Sequence, residues 1–239
     1  VVNDATSIAI GANATLDADA TETLAAVTVG ANATLKGDGN LIGSVTVLAN
    51  GTITPGEGNG TADLGTGNLL LNQYGVYSVN LNGTTADTQY DQLDVTGTVS
   101  LGNATLSLGV LGFTPVANQT FPLIDNDGAD AVSGIFSGLA NGTYVSVPTG
   151  GNLPDELFQI SYVGGTGNDV VLTATALPVT SNVYLDGAGN LVVEDILGGN
   201  TTDTLSISVS GGNLIIEDTA GNVLGTLIVG ATQTHTNRI

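Results

Sequence analysis

The sequence predicts an all-β chain: a parallel β-helix (β-solenoid) with a less regular middle and a short C-terminal β-repeat region. Three observations carry this. The hexamer Gly-Ala-Asn-Ala-Thr-Leu stands at residues 11–16 and again, unchanged, at 30–35, 19 residues later. A period of that length marks a repeat fold. Short β-branched runs alternate apolar with small or polar positions, the period of a pleated strand. No window long enough for three helical turns keeps an apolar stripe free of glycine or β-branched clusters, and glycine costs a helix about 1 kcal/mol relative to alanine.

The elements follow in order. Residues 7–10, 26–29 and 44–47 read as strands, each ending at Gly or Asn, which tolerate the positive φ of a corner. Degenerate hexamers at 48–53 and 101–106 continue the repeat. One repeat is one rung, with rungs about 4.8 Å apart. Thr34 is then expected over Thr15, and Leu35 over Leu16 in a dry inward column. Asn13, Asn32 and Asn50 form a corner column whose side-chain amides are expected to bond from rung to rung. Residues 17–25 belong to a rung. From residue 67 the rhythm loosens, with strands expected at 68–71, 75–82, 92–95, 98–101, 104–108, 120–124, 157–163 and 169–173. Residues 177–182 read as a connector, because Pro178 does not suit a central strand. Beyond it, Gly-Asn-Leu-Val-Val-Glu-Asp at 189–195 recurs as Gly-Asn-Leu-Ile-Ile-Glu-Asp at 212–218, 23 residues on. That longer period implies wider rungs or a pair of hairpins, with 187–190 as a hairpin turn. The expected division is 1–176, a solenoid domain, and 177–239, a C-terminal repeat region.

Composition narrows the function. The 239 residues carry 22 acidic groups against two cations, Lys36 and Arg238, for a formal charge of −20. Nucleic-acid binding is excluded as an expectation, since phosphates would find almost no partners; anionic membrane surfaces are disfavoured for the same reason. An apolar fraction of 41% with only 10% charged residues argues against a disordered acidic tail. The absence of cysteine removes disulfides, thiol catalysis and Cys-ligated zinc. No apolar stretch approaches the roughly 18 residues of a membrane-spanning helix, so no direct membrane insertion is expected. The near absence of Lys and the abundance of Thr, Asn, Gly and Asp place the chain outside the cell, secreted or at its surface.

A resemblance rests on specific stretches. Leu-Ala-Asn-Gly-Thr-Ile-Thr-Pro-Gly at 48–56 and Tyr-Asp-Gln-Leu-Asp-Val-Thr-Gly-Thr-Val-Ser-Leu at 90–101 resemble bacterial autotransporter-type passenger domains. So do Phe-Pro-Leu-Ile at 121–124, Gly-Ile-Phe-Ser-Gly-Leu at 134–139 and the segment 160–172. The resemblance spans roughly residues 45 to 175. It implies a right-handed parallel β-helix displayed on a cell surface, and is specific for architecture rather than activity. The chain departs from the family in showing no membrane β-barrel translocator; its C-terminal Gly-Asn-Leu repeats look like those of secreted β-helical repeat surface proteins that lack one.

Few residues suggest chemistry. Asp125, Asp127 and Asp130 share a short loop of the hard oxygen ligands that Ca²⁺ favours. Asp169 lies in Gly-Gly-Thr-Gly-Asn-Asp-Val-Val-Leu, the nonapeptide pattern of calcium-binding β-rolls. These four are the candidate Ca²⁺ ligands. Solvated turns explain both stretches more simply, because a β-roll site needs stacked copies and the loop lacks the glycine of an EF-hand. Asp17 and Asp19, on one face if 17–19 is a strand, are the spacing of a glycosidase pair, but surface charge outweighs that reading. His235, the only histidine, lies near the chain end, and no nucleophile–base set or phosphate loop accompanies it. Nine Asn-X-Ser/Thr sequons arise mostly from the repeat and read as corner chemistry.

No enzyme and no cofactor other than candidate Ca²⁺ are expected. The leading expectation is an extracellular structural protein that self-associates head to tail as a filament, matrix or surface-layer subunit, because a solenoid's last rung is an open strand edge. An adhesin domain binding a glycan or a neighbouring cell surface through residues 126–154 is the alternative. A polysaccharide-active β-helix enzyme using Asp17, Asp19, Asp125 or Asp127 comes third.

Overall fold

The computed structural model describes residues 7–56, 60–109, 111–148 and 156–175, together with five strands between 179 and 226. The chain is all-β, with no helix among the described residues. It divides into two compact units, residues 1–148 with 156–175 and residues 149–155 with 176–239.

In the first unit the chain visits the same three sheets over and over. β1 (Ser7–Ile10), β2 (Thr15–Asp17) and β3 (Thr21–Glu22) open sheets 1, 2 and 3. β4 (Ala26–Val29), β5 (Thr34–Gly37) and β6 (Asn40–Leu41) add a second strand to each. β7 (Ser44–Val47), β8 (Thr52–Pro55) and β9 (Asp63–Thr66) add a third, and β10 (Leu69–Leu71), β11 (Val76–Val79) and β12 (Gln92–Val95) a fourth. β13 (Val99–Ser100), β14 (Thr105–Leu108) and β15 (Thr120–Asn126) add the fifth. From β4 to β15, each strand pairs in parallel with the strand three places before it. β16 (Tyr144–Val147), β17 (Glu156–Gly164) and β18 (Asp169–Ala174) then extend sheet 3 antiparallel, in the order β15-β18-β17-β16.

The register puts like upon like. Thr15 pairs with Thr34 and Leu16 with Leu35. The inward column of sheet 2 continues through Ile53 and Tyr77 to Leu106. In sheet 1 the inward column is Ile8, Val27, Val45, Leu69 and Val99. Alternation is strict: β4, β5, β7, β8, β9 and β11 all read half-buried then buried. Removing one such side chain from water stabilises by about 1.5–3 kcal/mol.

The hexamer is a corner plus the start of a strand. Ala14 N–H donates to Gly11 O (3.0 Å), Ala33 to Gly30 (3.1 Å), Gly51 to Leu48 (2.9 Å), Gly75 to Asn72 (2.8 Å) and Ala104 to Leu101 (2.8 Å). The third residue of each turn is left-handed: Asn13, Asn32, Asn50, Tyr74 and Asn103, with φ between 58° and 66°. Asn enters this region at little cost and Tyr at a higher one. The column also bonds through its main chain, Asn32 N–H to Asn50 O and Asn50 N–H to Tyr74 O, both 2.8 Å. The three asparagines Asn13, Asn32 and Asn50 are exposed.

The two ends of the stack differ. β1, β2 and β3 are edge strands, with no described strand on their outer side. A small pocket of about 80 Å³ opens between them, lined by Ile8, Leu16, Glu22, Leu24 and Leu41 among others. At the far end, residues 133–137 lie along β13 and on to β14: Ser133 N–H bonds Val99 O, Leu101 N–H bonds Ser133 O, and Ser137 N–H bonds Ala104 O. Aromatic rings fill that end. Phe136 stacks on Tyr77, and Phe121 meets Tyr90, Phe113 and Phe158. The Tyr162 hydroxyl accepts from Phe136 N–H (3.0 Å) and donates to Leu139 O (2.7 Å), fixing the covering segment in place.

In the second unit, β19 (Val179–Leu185) and β20 (Leu191–Asp195) pair antiparallel, and β21 (Leu205–Ser210) pairs antiparallel with β22 (Asn213–Asp218). β23 (Val223–Thr226) adds to β19 in parallel. The repeated Gly-Asn-Leu segments therefore become β20 and β22, each the second strand of a hairpin. β19 begins directly after Pro178, so the expected connector is already strand from residue 179; Pro at a strand's start breaks no ladder bond.

Two substitutions test this packing by urea unfolding. Tyr74→Asn is expected to stabilise by about 1 kcal/mol, by removing a left-handed bulky residue. Leu35→Ala, at a fully buried position of its column, is expected to cost about 2–5 kcal/mol.

Candidate functional site

Sheet 3 carries the acids on its outward face. Thr21, Asn40, Gly65, Asp94 and Asp125 form one outward column, so Asp94 and Asp125 stand directly opposite each other on β12 and β15. Asp63, two residues before Gly65 on β9, shares their face. Like charges facing across a sheet repel. A groove of about 470 Å³ runs over this face, lined by Asp19, Asp38, Asp63, Asp94, Thr21, Asn40 and Thr96 among others. Its described lining contains no aromatic ring and no cation.

Burial and mutual repulsion raise Asp63, Asp94 and Asp125. Asp63 is pushed up to about 6, first by burial and then by Asp94 and Asp87. Asp94 rises through burial and its neighbours Asp125 and Asp87, and Asp125 through burial with Asp169 and Asp127. Asp91 is a different case. It is fully buried, and its carboxylate accepts Ala62 N–H (3.1 Å), Asn80 N–H (2.7 Å) and the Asn80 side-chain amide (3.0 Å). Burial lifts it to about 6 against those three donors. Asp91 thus ties the strand ends around residues 62 and 80 together.

The candidate calcium residues converge, but around an amide. Asp125 ends the outward column, Asp127 and Asp130 follow in its loop, and Asp169 opens β18. The Asn168 side-chain N–H₂ donates to three main-chain carbonyls, Asn126 (3.0 Å), Asp127 (3.1 Å) and Asp130 (3.2 Å). The Asp169 carboxylate accepts Asn126 N–H (3.0 Å) and Thr166 N–H (2.9 Å). Gly165 and Gly167 are left-handed, at φ 51° and 115°, which lets the turn reach the loop. The main-chain carbonyls of residues 126, 127 and 130 and the Asp169 carboxylate thus receive N–H groups. Among the described residues no three His, Asp or Glu side chains come together to hold a metal ion.

Asp17 and Asp19 do not share a strand. Asp17 ends β2 and pairs with Lys36 (2.8 Å), while Asp19 lines the groove on sheet 3. Residues 126–148, the described part of the expected adhesin segment, are anchored by buried Phe136. His235 lies outside the described residues. Sequence reasoning missed Asp63, Asp91 and Asp94; the outward alternation of 63, 65, 92 and 94 was the signal for Asp63 and Asp94, and its meaning depends on the register between β9 and β12.

No protein-family model matches the chain, and no curated protein matches it.

Asn168→Ala would take a donor from three carbonyls, of which Asp130 O keeps the Asn126 side-chain amide (2.8 Å), at an expected cost of about 2–3 kcal/mol. Urea unfolding with and without millimolar Ca²⁺ checks this. The loss is expected to be the same in both; rescue by Ca²⁺ would assign the loop to a cation.

Proposed function

We propose that this chain is a structural, non-enzymatic part of a secreted or cell-surface protein: a parallel β-solenoid that associates with further copies of itself through its open strand edge. The observation that carries the reading is the in-register parallel stacking of sheets 1 to 3, which among the described residues begins at three edge strands. An edge of free N–H and C=O groups is a template for another strand. Here three such edges lie at one end, beside the half-buried apolar side chains Ile8 and Leu16.

Head-to-tail growth needs a complementary edge. The far end of the first unit is taken up by residues 133–137 and by the antiparallel strands beyond β15. We assign the complementary edge to the second unit, whose described sheets have β20, β23, β21 and β22 as edge strands. Glu22 sets a condition on the contact. It occupies an inward position in register with fully buried Leu41, where a charge discourages indiscriminate pairing. The high acidity and near absence of cations support an extracellular setting. An adhesin role through residues 126–154 has less support, because Phe136 and Tyr162 fasten the described part of that segment to the stack.

Proline at outward-facing amides tests the reading. Gly30 N–H bonds Ile10 O, and Thr34 N–H bonds Ala14 O. By the alternation of a parallel ladder, the amides of Ala9 and Thr15 then face away from β4 and β5. Ala9→Pro with Thr15→Pro should leave the fold intact and abolish assembly. Sedimentation velocity and electron microscopy at rising concentration are expected to show filaments or oligomers for the parent and monomers for the variant. A parent that stays monomeric throughout, or a variant that assembles equally well, would remove the proposal.

A further inference from the structure

We propose that Asp63 is a proton-binding site in the groove of sheet 3, and that mild acid consolidates this molecule rather than loosening it. The geometry starts from one oxygen. Asp63 Oδ1 is buried and has no hydrogen-bond partner. The carboxyl receives the backbone N–H of Asp87, from the 82–90 connection. A carboxylate oxygen can only accept, so a buried one without a donor is costly; the protonated acid gains a donor of its own.

The groups that act on Asp63 among the described residues are mostly further acids. Asp63 faces Asp94 from β12, Asp125 from β15, Asp87 from the connection and Asp91 at the start of β12's approach. Tyr77 and Tyr90 are the uncharged titratable groups that sense it, and both are raised, Tyr90 to about 12. Asp19 and Asp38 line the same groove. The only lysine of the chain, Lys36, is paired with Asp17 on sheet 2. Burial lifts Asp63 to about 6, with Asp94 the next contribution.

The sign follows from linkage. The folded chain holds the Asp63 proton more tightly than the unfolded chain, whose carboxyl titrates near 3.8. Stability from this group is therefore present in full below about pH 4 and is lost as pH rises through about 6. Asp91, Asp94, Asp125 and Glu156 are raised too and act in the same direction. A single neutral substitution separates the Asp63 part from theirs.

The experiment compares the parent, Asp63→Asn and Asp38→Asn by thermal unfolding at pH 5.0 and 7.5, without divalent ions and with millimolar Ca²⁺. Parent Tm is expected to be higher at pH 5.0. Asp63→Asn, which mimics the neutral group, should raise Tm at pH 7.5 and shrink the gap between the two pH values. Asp38→Asn, an exposed acid of the same groove, should leave that gap as it is. Carbon-13 titration of the parent carboxyls should find Asp63 with a midpoint near 6, a reading that needs no variant to fold. An Asp63 midpoint below about 4.5, or an unchanged gap in Asp63→Asn, would overturn the proposal. So would a Ca²⁺-induced rise at pH 7.5 that vanishes in Asp63→Asn, since the charge would then be met by a cation.

Discussion

The structure depends on each strand meeting the strand three places earlier in parallel and in register. Main-chain N–H and C=O groups must find partners, and from β4 to β15 the strands find them on the previous pass of the chain. Once that pairing is set, side-chain positions repeat at each pass. Leucine then lies on leucine, threonine on threonine, and a corner residue on a corner residue. The dry interior, the left-handed corner column and the acidic outer face of sheet 3 are all consequences of that one registration.

Much of this was legible in residues. The repeated hexamer placed Thr15 with Thr34 and Leu16 with Leu35, and these pairs occur in the structure. Strands 7–10, 26–29 and 44–47 have the bounds that alternation suggested. What escaped was short or long-range. β3 and β6 are two-residue strands, too brief to carry a period, so the third sheet could not be read from its first members. The antiparallel return of β16 to β18 has no repeat to announce it. The corner asparagines were read both for a positive φ and for amides bonding from rung to rung, and the structure displays the positive φ at each.

The site was harder to read than the fold. The loop at 125–130 and the turn at 164–169 look like cation ligands when only oxygens are counted. Asn168 places a donor among the main-chain carbonyls of that loop, a contact 38 to 42 residues away in sequence. Asp63 and Asp94 are unremarkable in the sequence, since each sits alone between apolar neighbours. Their closeness comes only from the pairing of β9 with β12. Repulsion among them is tolerated because the interior beneath is continuous and fully buried, from Leu64 through Leu93 to Ile124. The outer face is thus free to carry charge that the core does not need.

Paired cysteines test the registration most directly, because the chain has no cysteine of its own. Thr34 and Thr52 are register partners on the outward face of sheet 2, and Thr54 is one outward position further along β8. Register partners lie within the roughly 4.4–6.8 Å span between Cα atoms that a disulfide accepts, whereas the diagonal pair does not. Under mild oxidation, Thr34→Cys with Thr52→Cys is expected to cross-link quickly and Thr34→Cys with Thr54→Cys slowly. Equal rates, or the reverse order, would contradict the stacking on which everything else stands.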